Sequence, residues 1–164
     1  MVIRPSTFQD KDSVLDLLKR TQTFNESELR TAMEVFDDAV LWIQENEYQS
    51  FCGVCDGGRI VGYICFGQIP MTDCNYDIYW IAIDRDRFRM GIGSKLLSFI
   101  ESIVVKNKGR KIYLDTSSTE KYSAARSFYA KHGYRIVSVL EDYYCRGDHK
   151  VIFMKDIDSD HVKP

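Results

Sequence analysis

The chain predicts a mixed α/β fold: a central mixed β-sheet of about seven strands with about four helices on its faces. Three observations predict it. Apolar periodicity alternates between the two-residue and the three-to-four-residue kind, in the order β-α-α-β-β-β-α-β-α-β-β. The stretch from Ile83 to Lys95 turns an apolar strand through Gly91 and Gly93 into an amphipathic helix. Asp56-Gly57-Gly58, between two apolar runs, is a hairpin signal.

Each element has its own warrant. Val2 to Arg4 reads as a short first strand, and Asp10 to Thr23 as a helix with Val14, Leu15, Leu17 and Leu18 as its stripe. Asn25 to Ser27 is a cap-like break. Ser27 to Gln44 then repeats Leu29, Met33, Phe36, Val40, Leu41 and Ile43 at helical spacing. Ser50 to Cys55 and Arg59 to Gly67 are the hairpin strands, and Gln68 to Asn75, with Pro70, is a loop into a strand from Tyr76 to Ile83. In the helix from Ile92 to Val105 the buried stripe is Ile92, Leu96, Leu97, Ile100, Ile103 and Val104; Lys106, Lys108 and Gly109 close it. Lys111 to Ser117 alternates as a strand, Ser123 to His132 is a helix stopped by Gly133, and Tyr134 to Leu140 and Lys150 to Ile157 are the last strands. Glu141 to Asp148 joins them as a turn. Residues 1–157 form one domain on this reading, and 158–164 a frayed tail.

Composition excludes several classes. A formal charge of −2 offers no basic excess to neutralise phosphates, which argues against nucleic acid as a partner. No apolar run approaches a membrane span, and the first residues lack a signal peptide's apolar core. Five scattered cysteines point to a reducing, cytoplasmic setting. Cys52 and Cys55 are three apart on a strand and face opposite sides, and the three histidines lack ligand spacing, so no metal is expected.

The glycine turn carries the chemistry. A helix N-terminus presents unpaired N–H groups and the positive end of its dipole, which suits a phosphate or pyrophosphate. Gly91 and Gly93 let backbone approach the anion, and Arg87 and Arg89 add charge. A Walker A loop is rejected because no glycine stands where its first one belongs, and a dinucleotide fingerprint fails where Leu96 replaces its third glycine. An ordinary βα turn is the bland alternative.

Two motifs in order resemble the GNAT acetyltransferase superfamily, over nearly the whole chain from Ile3 to Ile157. Phe88-Arg89-Met90-Gly91-Ile92-Gly93 is similar to its Q/R-x-x-G-x-G/A loop, with Phe88 where Gln or Arg is usual. Ala125, Phe128, Tyr129, Gly133 and Tyr134 match its A-x-x-F/L-Y-x-x-x-G-F/Y segment. The resemblance implies acetyl-CoA as cosubstrate, held by Phe88, Arg89, Met90, Gly91, Ile92, Gly93 and Ser94. It further implies contacts from the backbone of Ile81, Ala82 and Ile83 on a bulged, splayed fourth strand, and from Tyr122 and Arg126. Tyr122 stands where many members carry Asn.

The expected activity is N-acetylation of a primary amine on a small molecule, by direct attack in a ternary complex. Tyr129 is the expected general acid, since a phenol is protonated at neutral pH. Asp77 is the candidate base, fourteen residues before Gly91 where histone acetyltransferases of the family hold a glutamate; a solvated strand-end carboxylate, with water relaying the proton, is the alternative. Asp115 is a candidate for positioning substrate. Asp142, Tyr143 and Tyr144 read as a surface hairpin, with the lining of an acceptor pocket as the other choice. A protein N-terminus or lysine as acceptor, and a non-catalytic acyl-CoA binder, are the competing functions. A homodimer is compatible with the sequence but nothing in it supports one.

Overall fold

A computed structural model describes residues 1–41 and 48–157. The predicted tail and the end of the predicted second helix, 42–44, lie outside the described residues. Seven strands form one sheet: β1 (Val2–Pro5), β2 (Tyr48–Val54), β3 (Ile60–Gln68), β4 (Asn75–Ile83), β5 (Lys111–Ser117), β6 (Arg135–Cys145) and β7 (Asp148–Asp156). Four helices cover it: α1 (Lys11–Thr21), α2 (Glu26–Leu41), α3 (Ile92–Lys106) and α4 (Ser123–Lys131). The sheet order is β1-β2-β3-β4-β5-β7-β6, and only β4 and β5 run parallel.

Helix periodicity decides which face each helix covers. Val14, Leu17 and Leu18 of α1 and Ala32, Met33 and Phe36 of α2 pack on Tyr63, Cys65 and Ala82. Leu96, Leu97, Ile100 and Val104 of α3, with Tyr129 of α4, pack on the opposite face against Ile64, Phe66, Ile78, Leu114 and Phe153. Local chemistry ends the helices where the sequence says. Gln22 caps α1 in the left-handed region, at φ 55°. Asn25 and Glu28 open α2 with a reciprocal pair of backbone-to-side-chain bonds of 2.9 and 2.7 Å. Asp10, before α1, accepts from Arg4 and from Thr7, and these bonds hold its carboxyl down at about 2.

Two irregularities of β4 matter for function. Its pairing with β5 runs only from Asn75↔Lys111 to Ile78↔Leu114, and beyond that the two strands part. Against β3 the register skips Tyr79, a β-bulge. The bulge reverses the side-chain alternation: Tyr76 and Ile78 face the α3 side before it, and Ile81 and Ile83 do so after it. Asp77 is therefore left on the α1–α2 side. Cys52 and Cys55 do face opposite cores. Burial pushes the Cys52 thiol to about 11 and the Cys65 thiol to about 12, so neither is a thiolate at neutral pH.

The structure corrects the late turn. Glu141 to Cys145 continues β6, and β7 begins at Asp148, so the hairpin is tight and its strands long. Gly147 at φ 83° supplies the turn, and its N–H donates to Asp142 Oδ1 at 2.8 Å. Asp142 thus belongs to the hairpin tip.

Candidate active site

The gap where β4 and β5 part is the centre of the site. At its mouth stands the first turn of α3, whose N-cap Gly91 adopts φ 75°. A Cβ built on Gly91 would meet nothing within 4 Å, so the space before the helix N-terminus is open. Gly93 has a different task. A Cβ there would come 2.6 Å from Ile83 Cδ1 and 3.1 Å from Phe128 Cζ, so this glycine lets α3 seat against β4 and α4 together. Gly93→Ala is expected to destabilise the fold by about 1–3 kcal/mol, the usual cost of overpacking, as measured by urea denaturation. A stability equal to that of the parent would mean that Ile83 and Phe128 yield freely.

Residues around this turn are placed as follows. Phe88, Arg89 and Met90 are exposed, and Arg89 takes the left-handed conformation at φ 66°. The loop before them is anchored by Asp84, a buried carboxylate 2.6 Å from Arg59 and 3.7 Å from Arg20, which also accepts from the N–H of Asp86. Ser94 Oγ lies 2.8 Å from His132 Nε2, while His132 Nδ1 lies 2.8 Å from the Phe128 carbonyl. A carbonyl only accepts, so Nδ1 carries a proton and donates to it, while Nε2 and the Ser94 hydroxyl share the second hydrogen bond. Arg126 donates through Nη1 to the carbonyls of Ser117 and Thr119, both at 2.7 Å, and so fixes the chain leaving β5. Tyr122 reaches across to α2: its hydroxyl donates to Glu28 Oε1 at 3.2 Å or the Thr23 carbonyl at 3.3 Å. Phe24, beside Thr23, stacks edge-on against Trp80 of β4 at 5.3 Å. The α1–α2 connection therefore spans the gap, from β4 to the segment after β5.

Two titratable groups flank the vertex of the gap from opposite faces. Asp77 lies on the α1–α2 side. Burial, and then the charge of Asp115, push its carboxyl up to about 6, against the pull of Lys150 and the N–H of Ile78. Tyr129 lies on the α3–α4 side, packed against Phe128, Tyr134 and Phe153 with ring centroids 5.5, 6.2 and 5.7 Å away. Burial, followed by the charge of Asp115, raises its phenol well above the usual value, so it stays protonated throughout the neutral range. Asp115 is the first β5 residue past the last pair with β4.

A cavity of about 360 Å³ opens on the α1–α2 side, lined by Asn75, Asp77, Tyr113, Asp115, Lys150 and Ile152 among others. Lys150 pairs with Asp115 at 2.9 Å, and the Tyr144 hydroxyl donates to the same carboxylate at 2.9 Å. Tyr143 lies under the Lys150 ammonium, 4.9 Å from its centroid. Tyr143 and Tyr144 stand exposed on the β6–β7 hairpin, as the surface-hairpin reading expects, and their contacts with Lys150 and Asp115 bring them to the edge of this cleft. Asn75 and Lys150 are additional lining residues that sequence reasoning did not single out. Alternation along β7 could have flagged Lys150, since Val151 and Phe153 point to the core. A larger hollow of about 520 Å³, bordered by Met1, Ile3, Ser94, Lys95, Ser98 and Phe99, contains no carboxylate or phenol and so lacks the acid–base pair found at the gap. Among the described residues no three His, Cys, Asp or Glu side chains gather as metal ligands, and no helix is long and apolar enough to cross a membrane.

Comparisons with known proteins give the family and the fold. The family model "Acetyltransferase (GNAT) family" matches residues 12–134. A GNAT-family protein from Desulfovibrio desulfuricans superposes with a TM-score of 0.88 at 30% identity, over 96% of this chain and 99% of its own. The S-(2-succino)cysteine N-acetyltransferase of Bacillus subtilis (strain 168) is 26% identical over 133 residues, covering 77% of this chain and 79% of the relative. An aminoglycoside 6'-N-acetyltransferase crystallised with coenzyme A shares the fold, with a TM-score of 0.74 at 22% identity over 100% of this chain and 99% of its own.

Proposed function

Because the chain belongs to the GNAT acetyltransferase family and is an acetyl-CoA-dependent acetyltransferase, we propose that it acetylates a primary amine of a small molecule by direct transfer across the β4–β5 gap. The observation that carries this is the placement of Asp77 and Tyr129 on opposite faces of one gap, each held in the protonation behaviour its role needs. Bound acetyl-CoA supplies the acetyl group as a thioester. The turn from Phe88 to Ser94 fits its pyrophosphate: the space before Gly91 is open, and the unpaired amides of the α3 N-terminus point into it. The tie from Ser94 to His132 fixes the side chain of that turn nearest α4.

Asp77 takes the proton of the entering ammonium, directly or through one water, so that the amine nitrogen has a free lone pair. Past Ile78 the pairing of β4 with β5 stops among the described residues, and amides among Ile81 to Ile83 donate to the carbonyl oxygen as negative charge grows there. As the nitrogen–carbon bond forms and the carbon–sulfur bond breaks, Tyr129 gives its proton to the departing thiolate, and the second proton, lost by the acylated nitrogen, passes through water to restore the phenol. Arg126 and Tyr122 act as positioning residues, the first on the end of β5 and the second on the α1–α2 connection. The cleft beside Asp77 supports a small acceptor, as does the S-(2-succino)cysteine N-acetyltransferase activity of the Bacillus relative. The test is a panel of amines incubated with acetyl-CoA while free thiol is followed: S-(2-succino)cysteine, amino acids, diamines, an aminoglycoside and short peptides. Turnover on one or more small amines is expected; turnover on peptides alone would move the acceptor class to proteins, and none at all would refute transfer.

A further inference from the structure

Ser94 and His132 join two helix ends. Ser94 stands in the first turn of α3, and His132 is the C-cap of α4; both are half-buried. His132 Nδ1 lies 2.8 Å from the Phe128 carbonyl one turn back, and Nε2 lies 2.8 Å from Ser94 Oγ. The Phe128 ring, 4.3 Å away between centroids, supports the imidazole and packs on Gly93 in turn. Rotating the imidazole would give up both hydrogen bonds and this ring contact.

The hydrogens can be counted. Nδ1 spends its hydrogen on the Phe128 carbonyl, which only accepts. The bond to Ser94 then has two settings. When the ring is neutral, Nε2 offers a lone pair and the hydroxyl spends its one hydrogen there, so Ser94 can present only lone pairs to an anion. When the ring is protonated, Nε2–H donates to Oγ and the hydroxyl hydrogen is released. The second setting adds a donor and a positive charge at a helix N-terminus, where the dipole already favours an anion. It also puts the imidazolium at the C-terminal end of α4, which accommodates a cation.

On the reading that this turn holds the diphosphate of coenzyme A, we propose that His132 is a positioning residue that takes up a proton as the diphosphate binds, and so turns the Ser94 hydroxyl into a donor to it. The proton comes from solvent and returns there on release. His132 acts through Ser94 and does not touch the acetyl group. Charged side chains on the elements around it are Arg87 and Arg89 before α3, Lys95 and Glu101 of α3, Lys131 of α4, and Lys155 of β7, which pairs with Glu101 at 2.8 Å. Arginine, lysine and glutamate ordinarily change charge outside the range from about pH 6 to 8, whereas imidazole changes within it. The KM for acetyl-CoA should therefore rise with pH over that range, independently of kcat.

Calorimetry of coenzyme A with the full chain, at pH 6 and pH 8 in buffers of different ionisation enthalpy, tests this against His132→Gln, whose amide takes no proton. Titration of the ligand's own 3′-phosphate is common to both proteins and cancels. Between the two pH values the parent should lose about three- to tenfold more affinity than the variant, and near pH 7 it should take up more protons on binding. Ser94→Ala should remove most of that difference, and pantetheine, which lacks the diphosphate, should show none. Nitrogen NMR of the parent needs no substitution: the His132 ring should be the Nδ1–H tautomer in the free protein at pH 8 and carry both protons in the complex at pH 6. Equal pH dependence in parent and His132→Gln, or a neutral ring in that complex, would overturn the role of His132. A different result, no binding of coenzyme A or undiminished binding by Gly91→Val, would overturn the reading of the turn itself.

Discussion

Tyr129→Phe is expected to lower kcat by about a hundredfold, the lower end of what a positioned acid or base contributes, while acetyl-CoA binding stays the same within error. The substitution is clean for a structural reason. Among the described residues the Tyr129 hydroxyl has no hydrogen-bond partner, and its ring is held by Phe128, Tyr134 and Phe153, all of which a phenylalanine would contact equally well. Removing an oxygen that makes no hydrogen bond should therefore leave the melting temperature close to that of the parent. Steady-state kinetics at saturating acceptor, with calorimetry for acetyl-CoA, reads the two effects separately. An unaltered kcat would reduce Tyr129 to a packing residue and leave water as the proton source for the thiolate.

Asp77→Asn should produce opposite changes in activity and stability. At pH 8 we expect kcat/KM to drop by about ten- to a hundredfold, and the rise of activity near pH 6 to disappear, because the group that must be ionised to accept the ammonium proton is gone. Stability should move the other way. The folded carboxyl titrates at about 6, above its ordinary 3.8, so the fold favours the neutral form. Its contribution is fully present below about pH 4 and is lost as pH rises through 6, above which the ionised group costs about 1–2 kcal/mol after allowance for partial solvation. Asparagine carries no such cost. The variant should be more stable than the parent at pH 8 by about that amount and equal to it at pH 4, as measured by denaturant midpoints. Equal activity at pH 8 would remove Asp77 from the reaction, and equal stability at both pH values would mean that its carboxyl is better solvated than its surroundings suggest.

The two predictions share a physical basis in Asp115. Its charge raises both the Asp77 carboxyl and the Tyr129 phenol, yet it is itself held by Lys150 and Tyr144. One anchored carboxylate thus favours a base that ionises near neutrality and an acid that does not ionise there. Neither partner of Asp115 is near it in the chain; β7 and β6 deliver them from 35 and 29 residues away. Such coupling is invisible to a reading that weighs each side chain alone. It is also why Tyr143 and Tyr144 look like hairpin surface from the sequence. Their alternation is ordinary, and only the length of β6 and the reach of the Tyr144 hydroxyl to Asp115 bring them to the edge of the cleft.

What the chain alone determined is what neighbours along it determine. Helix stripes, glycine turns and alternating strands follow from backbone sterics and the periodicity of burial, so the strand–glycine–helix of residues 83–95 and the seven-strand, four-helix order were legible, as was the likeness of the two motifs. The tertiary structure decided the rest. Pairing with β3 absorbs Tyr79 as a bulge, and pairing with β5 stops at Ile78, and these two events put Asp77 and Tyr129 on opposite faces of an open gap. For Tyr122, expected as a cofactor contact, the fold adds a neighbour that no local pattern shows, the Glu28 carboxylate at its hydroxyl. The reason is that strand register and splay are settled by contacts between segments far apart in the chain, and no local pattern carries that information.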